Sequence, residues 1–286
     1  MKNPWKSGAI GILVLAVVAC AHSPATYSDR SEAKLIGPVR SIVDKNLFFV
    51  TSLSFNRAGN LTEMTRECVD EAASRDSPRS TSMKFTMDDS GRKVSAEEQD
   101  ENGLIRFREA YSFDETGHLS ARVRASPNGE FTYGDFHWHD DRGNRAGTII
   151  VLNISELVGN DAAVEKVEYF YDVEGRETKQ LKYDSKGRKQ VDVVTTYDNS
   201  KHLYGETSYS PEGGIKNRTL YDHRGDKLQE LSFDKSGEPY LKYEYSYEYD
   251  QLNNWTKRQM KVWEKRDGVL IHTYTMVHER IISYYP

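Results

Sequence analysis

Cysteine is nearly missing from this chain. Only Cys20 and Cys68 occur among 286 residues, and Cys20 belongs to an N-terminal signal. No intramolecular disulfide is therefore expected. Cys68 reads as a buried inert thiol, with an exposed thiol that pairs with a partner as the alternative. Long apolar runs are also missing. The one run, Ala9 to Val18, is about 10 residues, half of the roughly 20 that a spanning helix needs. Catalytic motifs are absent too: there is no recognisable Ser-His-Asp arrangement, nucleophile elbow, Gly-rich phosphate loop or Cys-x-x-Cys. The chain is expected to be no enzyme and to need no cofactor. Basic charge is not in excess, with 39 Lys and Arg against 44 Asp and Glu. Removing residues 1–19, which hold Lys2 and Lys6 and no acid, leaves 37 against 44, a net charge of −7. An acidic surface argues against nucleic acid as partner.

The N-terminus carries an address. Lys2 and Lys6 precede the short apolar run, as in a secretion signal. The segment ends Val17-Val18-Ala19-Cys20, which resembles the bacterial lipobox. That resemblance implies a signal peptide over 1–19 and lipidation of Cys20. Ala21 follows in place of the Asp of the usual inner-membrane retention signal, so an outer-membrane, periplasm-facing anchor is expected. Stable anchoring takes more than one acyl chain, which a lipoprotein cysteine supplies. Residues 20–34 then read as the lipidated cysteine and a polar flexible tether, and 35–286 as one folded domain.

What the chain has in plenty is a repeated phrase: aromatic, Asp, two polar residues, Gly. Tyr171-Asp172 leads to Gly175, Tyr183-Asp184 to Gly187, Tyr221-Asp222 to Gly225, and Phe233-Asp234 to Gly237. Tyr249-Asp250 leads to Asn253. An Asp that opens a turn can bind its own backbone two residues on. A Gly then takes the left-handed conformation that closes a bulged hairpin. Lys201 is a poor occupant of that slot. Weaker copies run back through Gly143, Gly129, Gly117, Gly103, Gly91 and Gly59, with a worn copy near Gly159. Asp267-Gly268 reads as a two-residue hairpin.

Between turns the residues alternate with period two, which is the strand signature. Tyr243, Tyr245, Tyr247 and Tyr249 share one face; Lys242, Glu244, Ser246 and Glu248 share the other. The aromatic before each Asp is expected on the packed face. The fold class is all-β: an antiparallel up-and-down meander of about sixteen strands, forming a coiled, partly rolled sheet, since flat sheets seldom pass about ten strands. A membrane barrel is disfavoured, because the second face is charged. Residues 70–82 read as a solvated polar loop.

The copies YDVEG, YDSKG, YDHRG and FDKSG resemble the YD repeat of the Rhs family. LIGPVRSI at 35–42, YEYDQLNNWTKR at 247–258 and HERIISYY at 278–285 are similar to small bacterial secreted proteins of that type. The likeness covers most of 35–285 and is tightest in the C-terminal half. It implies a β-repeat fold and no assigned activity.

Few residues invite chemistry. His137 and His139 share a strand face and could in principle hold a metal, but His139 occupies the aromatic slot of the repeat and Asp140 the turn slot, which assigns them to structure. The turn aspartates are explained by the turns. The expected function is that of a lipid-anchored, non-enzymatic cell-envelope protein that offers its sheet edge or loops to an envelope protein partner. The alternatives are a carbohydrate- or peptidoglycan-binding module, motivated by 18 tyrosines, and an immunity-type lipoprotein against a toxin.

Overall fold

The computed structural model describes residues 35–46, 48–69, 79–152, 163–198, 200 and 202–286. The signal at 1–19, Cys20, the tether at 21–34, most of the 70–82 loop, the worn copy at Gly159 and the Lys201 slot lie outside the described residues. Eighteen strands follow one another: β1 (Val39–Lys45), β2 (Phe49–Phe55), β3 (Leu61–Cys68), β4 (Ser80–Met87), β5 (Lys93–Asp100), β6 (Ile105–Phe113), β7 (Leu119–Ala125), β8 (Phe131–His139) and β9 (Arg145–Leu152) form the first half. The second half is β10 (Ala163–Tyr171), β11 (Glu177–Tyr183), β12 (Lys189–Tyr197), β13 (Leu203–Tyr209), β14 (Ile215–Tyr221), β15 (Lys227–Phe233), β16 (Pro239–Tyr249), β17 (Trp255–Arg266) and β18 (Val269–Tyr284).

Each strand pairs antiparallel with its sequence neighbours, and β18 pairs antiparallel with β1. The meander therefore closes into an 18-stranded barrel. This corrects the expectation of a partly rolled sheet of about sixteen strands. Two reversals escaped the glycine pattern. Asn46 turns the chain between β1 and β2, its Oδ1 accepting from Phe48 N and Phe49 N at 2.9 Å each, with no glycine needed. The polar stretch after Cys68 connects β3 to β4 and is a chain reversal in its own right.

The hairpins have one design. In the turn at Asp172, Gly175 N donates to Asp172 O at 3.1 Å, and Asp172 N donates to Arg176 O at 2.9 Å. Asp172 Oδ1 accepts from Glu174 N and Arg176 N, both at 2.9 Å, while Gly175 sits at φ +79°. The turns opened by Asp184, Asp222 and Asp234 repeat these bonds around Gly187, Gly225 and Gly237. Asn253 takes φ +62° in the turn opened by Asp250.

Register decides what faces inward. Residues aligned across neighbouring strands share a face, and the chain of partners Ile42, Leu53, Met64 and Met83 is buried along its length. The same face carries Ala96, Glu109, Asp135, Thr148, Val167, Thr195, Thr219, Ser232 and Val262, all buried. Tyr243, Tyr245 and Tyr247 share the face of Val262 and line the lumen. The turn aromatics do not all join them. Phe55, Phe113, Tyr171, Tyr197, Tyr221 and Tyr249 point inward; Tyr183, Tyr209 and Phe233 point outward, against the expectation of a single packed side. Identical hairpins at opposite ends of a meander are related by a two-fold axis lying in the sheet, which exchanges the faces.

The apolar core is local. Val39, Ile42, Leu53, Phe55, Leu61, Met64, Met83 and Ala96 cluster on β1–β5, with Ile282 and Tyr284 packed against them. Elsewhere the inward side chains are mostly half-buried, as in a barrel too wide for side chains to fill. The outer wall around β16 and β17 pairs Glu244 with Lys261 and Glu248 with Lys257. On this part of the wall charged pairs stand where a membrane-spanning barrel carries apolar residues.

Closure is fastened at one buried residue. Asn254 is 2% exposed. Its Oδ1 accepts from Ile36 N at 2.7 Å, and its Nδ2 donates to Ile36 O and to Tyr284 Oη, both at 2.8 Å. Replacing Asn254 by Ala removes these three bonds, two of them to the Ile36 backbone, and leaves a cavity where the buried amide sat. The expected cost is about 2 kcal/mol, measured as a fall in the midpoint of urea unfolding.

Candidate functional site

The barrel has two rims. One carries the turns after β2, β4, β6, β8, β10, β12, β14 and β16, whose aromatics point inward. Around it several residues that follow a turn glycine reach the next turn's ring. Arg92 lies 4.6 Å over Phe113 and Arg176 lies 4.7 Å over Tyr197. Tyr249 Oη donates to Asp226 at 2.8 Å. The same arginines bind their own turn aspartates, Arg92 Nε to Asp88 Oδ2 at 2.8 Å and Arg176 Nε to Asp172 Oδ2 at 2.7 Å. Each such turn is a carboxylate, a cation and a ring in sequence.

At the turn after β6 the letters change. The residue after Gly117 is His118, and the ring it meets is His139; their centroids are 4.7 Å apart and stacked. Asp114 Oδ1 is occupied by Thr116 N, Thr116 Oγ1 and His118 N. Asp114 Oδ2 faces the imidazoles, 3.4 Å from His139 Nδ1 and 3.8 Å from His118 Nδ1. His139 Nδ1 is buried without a hydrogen-bond partner. Burial, with His118 next to it, lowers the His139 pKa. One ligating atom from each of Asp114, His118 and His139 falls within 4.8 Å of the others.

His137 does not join this cluster. Its Nδ1 lies 2.9 Å from Thr148 Oγ1 and its Nε2 lies 3.3 Å from Asp135. The two histidines singled out from sequence thus share a face but not a centre, and His118 and Asp114 were missed. Asp135 belongs to a polar wall inside the barrel: it accepts from Arg122 Nε at 3.1 Å and Tyr133 Oη at 2.7 Å. Burial would raise its pKa, but the bonds from His137, Tyr133 and Arg122 hold it down to about 2. Next to it Arg124 Nε and Tyr111 Oη both donate to Glu109, at 2.8 and 2.6 Å. Buried charges in this wall are paired, as burial demands.

The opposite rim carries an overhang. β1 pairs with β18 only from Glu279 to Tyr284, whereas β17 pairs with β18 from Val269 to Glu279. Residues 269–278 therefore have a strand on one side and, among the described residues, none on the other. Val269, Ile271, Tyr274 and Val277 are exposed there. Asp267 and Gly268 close the tip, both at positive φ.

No family model matches the chain, and no curated protein matches it. Solved structures bear a weak likeness to it, three of them as follows. A porin-like protein from Bacteroides uniformis aligns over 87% of this chain and 99% of its own, at 12% identity and a TM-score of 0.49. A Photorhabdus luminescens Tc holotoxin pore aligns over 79% of this chain and 16% of its own, at 11% identity and a TM-score of 0.20. A TcdB2–TccC3–Cdc42 structure aligns over 79% and 19%, at 9% identity and a TM-score of 0.14. This chain spans under a fifth of each toxin chain. At these scores the likenesses bear no functional weight, and the barrel is established by its own strand register.

One titration follows from the overhang's root. Burial, and then the positive charge of Arg258, pushes His278 down to about 4. A histidine depressed when folded binds its proton more readily when unfolded. Stability is therefore full above the unfolded value of about 6.5 and declines as pH falls from there towards 4. Urea midpoints measured between pH 7 and 4 are expected to fall, and His278→Gln to reduce that slope.

Proposed function

We propose that this is a lipid-anchored, periplasm-facing, non-enzymatic envelope protein whose barrel docks an extended segment of another envelope protein along the overhanging edge of β18. The observation that carries this reading is the edge. A closed barrel removes strand edges, yet ten residues, Val269 to His278, keep one side open among the described residues. Their sequence, VLIHTYTMVH, holds no Lys, Arg, Asp, Glu or Pro, the residues that usually guard an exposed edge. A partner strand adds its backbone hydrogen bonds to such an edge and takes its specificity from alternate side chains. The fitting partner is an extended, uncharged segment with alternating apolar and hydroxyl residues. The N-terminal signal supports the address, and the lipid would hold the barrel at the membrane by residues 20–34.

The tyrosine row of β16 lines the lumen, which favours the docking edge over the glycan reading.

Two experiments test the proposal. Replacing Cys20 by Ala should move the protein from the membrane fraction to the soluble fraction; retention in the membrane would remove the lipid anchor. A photo-cross-linker at Tyr274 in intact cells should trap one reproducible envelope protein, whereas the same probe at Lys242 on the outer wall should not. Ile271→Lys with Val277→Lys, both at exposed positions, should reduce the adduct about tenfold without altering thermal stability. Equal yields at the two probe sites, or no effect of the lysines, would refute docking at the edge.

A further inference from the structure

We propose that Asp114, His118 and His139 form a binding site for a divalent transition-metal cation of the zinc class. It stands apart from the docking edge, on the opposite rim, and does not depend on it. Two imidazole nitrogens and one carboxylate oxygen are the donor set that zinc and its neighbours favour. Metal–ligand bonds of about 2.1 Å place tetrahedral ligands about 3.4 Å apart. The His139–Asp114 separation of 3.4 Å meets that spacing; His118 Nδ1, 3.8 Å from Asp114 and 2.8 Å from Thr116 Oγ1, moves inward and exchanges its bond with Thr116 for the metal.

Two further observations point to a cation. The first is the comparison with the sister turns. In the turns at Asp88 and Asp172 an arginine binds the aspartate's Oδ2 and stacks on the next ring. In the turn at Asp114 the arginine and the ring are both histidines, so no fixed positive charge faces Oδ2. A metal ion would stand where Arg92 and Arg176 place their guanidinium groups in those two turns. The second is the orphaned His139 Nδ1, a buried ring nitrogen facing Asp114 Oδ2 with no hydrogen bond of its own. Room for His118 comes from the following turn. Gly143 sits at φ +81°, and a Cβ there would lie 2.9 Å from the His118 ring. Water would complete the coordination on the exposed side, where Asp114 and His118 are half-open to solvent.

The test uses the full-length lipoprotein, purified in detergent, stripped with a chelator and titrated with zinc chloride by calorimetry. One zinc per chain and a raised thermal midpoint are expected. His118→Arg and His139→Tyr install the residues that sister turns carry. Each is expected to keep the metal-free thermal midpoint and to weaken zinc binding at least tenfold. His137→Gln, outside the cluster, should leave binding intact. Independently of any variant, zinc should shift the imidazole resonances of His118 and His139 in NMR spectra and spare those of His137. No stoichiometric binding, undiminished binding in both cluster variants, or shifts confined to other histidines would overturn the site.

Discussion

The seam between β18 and β1 is the constraint on which the remainder of the molecule depends. Antiparallel pairing of sequence neighbours alone produces only a ribbon. Six register pairs, from Val39 with Tyr284 to Lys45 with Glu279, convert it to a barrel and give it an inside. The seam is where the apolar core sits, and it is cross-braced by polar contacts. Asn254 imitates a strand neighbour for Ile36. Arg280 binds Asp44 at 3.0 Å and lies over the Trp255 ring. Closing so long a chain is entropically costly, and it is stabilised by joining the two ends of the domain through buried groups instead of exposed ones.

Inside, the wall away from the seam is built differently. Glu109, Arg124, Arg122 and Asp135 alternate on adjacent inward positions and neutralise one another between neighbouring strands. Tyr111 and Tyr133 complete the bonds, and burial beside a carboxylate raises both hydroxyl pKa values. This explains how a chain with 37% hydrophobic residues sustains a wide barrel: only the seam needs a dry core, and the rest of the lumen is lined with paired polar groups and rings.

Much of this was legible in the sequence, because a residue held at positive φ leaves a mark. Gly175, Gly187, Gly225 and Gly237 announced their hairpins, and Asn253 was a readable substitute. The Asn46 turn was illegible, since a side-chain acceptor replaced the glycine. Closure was illegible too: Val39–Lys45 and Glu279–Tyr284 are ordinary alternating segments, and nothing local says that they meet. The direction of the turn rings was misjudged because it follows from hairpin symmetry and not from residue type. At the rim, His139 stood out, but its partners His118 and Asp114 lie one hairpin pair upstream. The available signal was the slot after the turn glycine, where Arg92 and Arg176 have His118 as their counterpart.

The exchange of faces at every turn has an evolutionary consequence. Adding or deleting a single strand would invert every downstream side chain, placing the β16 tyrosines outside and Lys242 and Glu244 within, and would leave the last strand parallel to the first. Such a barrel can grow or shrink only by whole hairpin pairs. Relatives of different girth should accordingly differ by even numbers of strands, with insertions close to twice the length of one repeat.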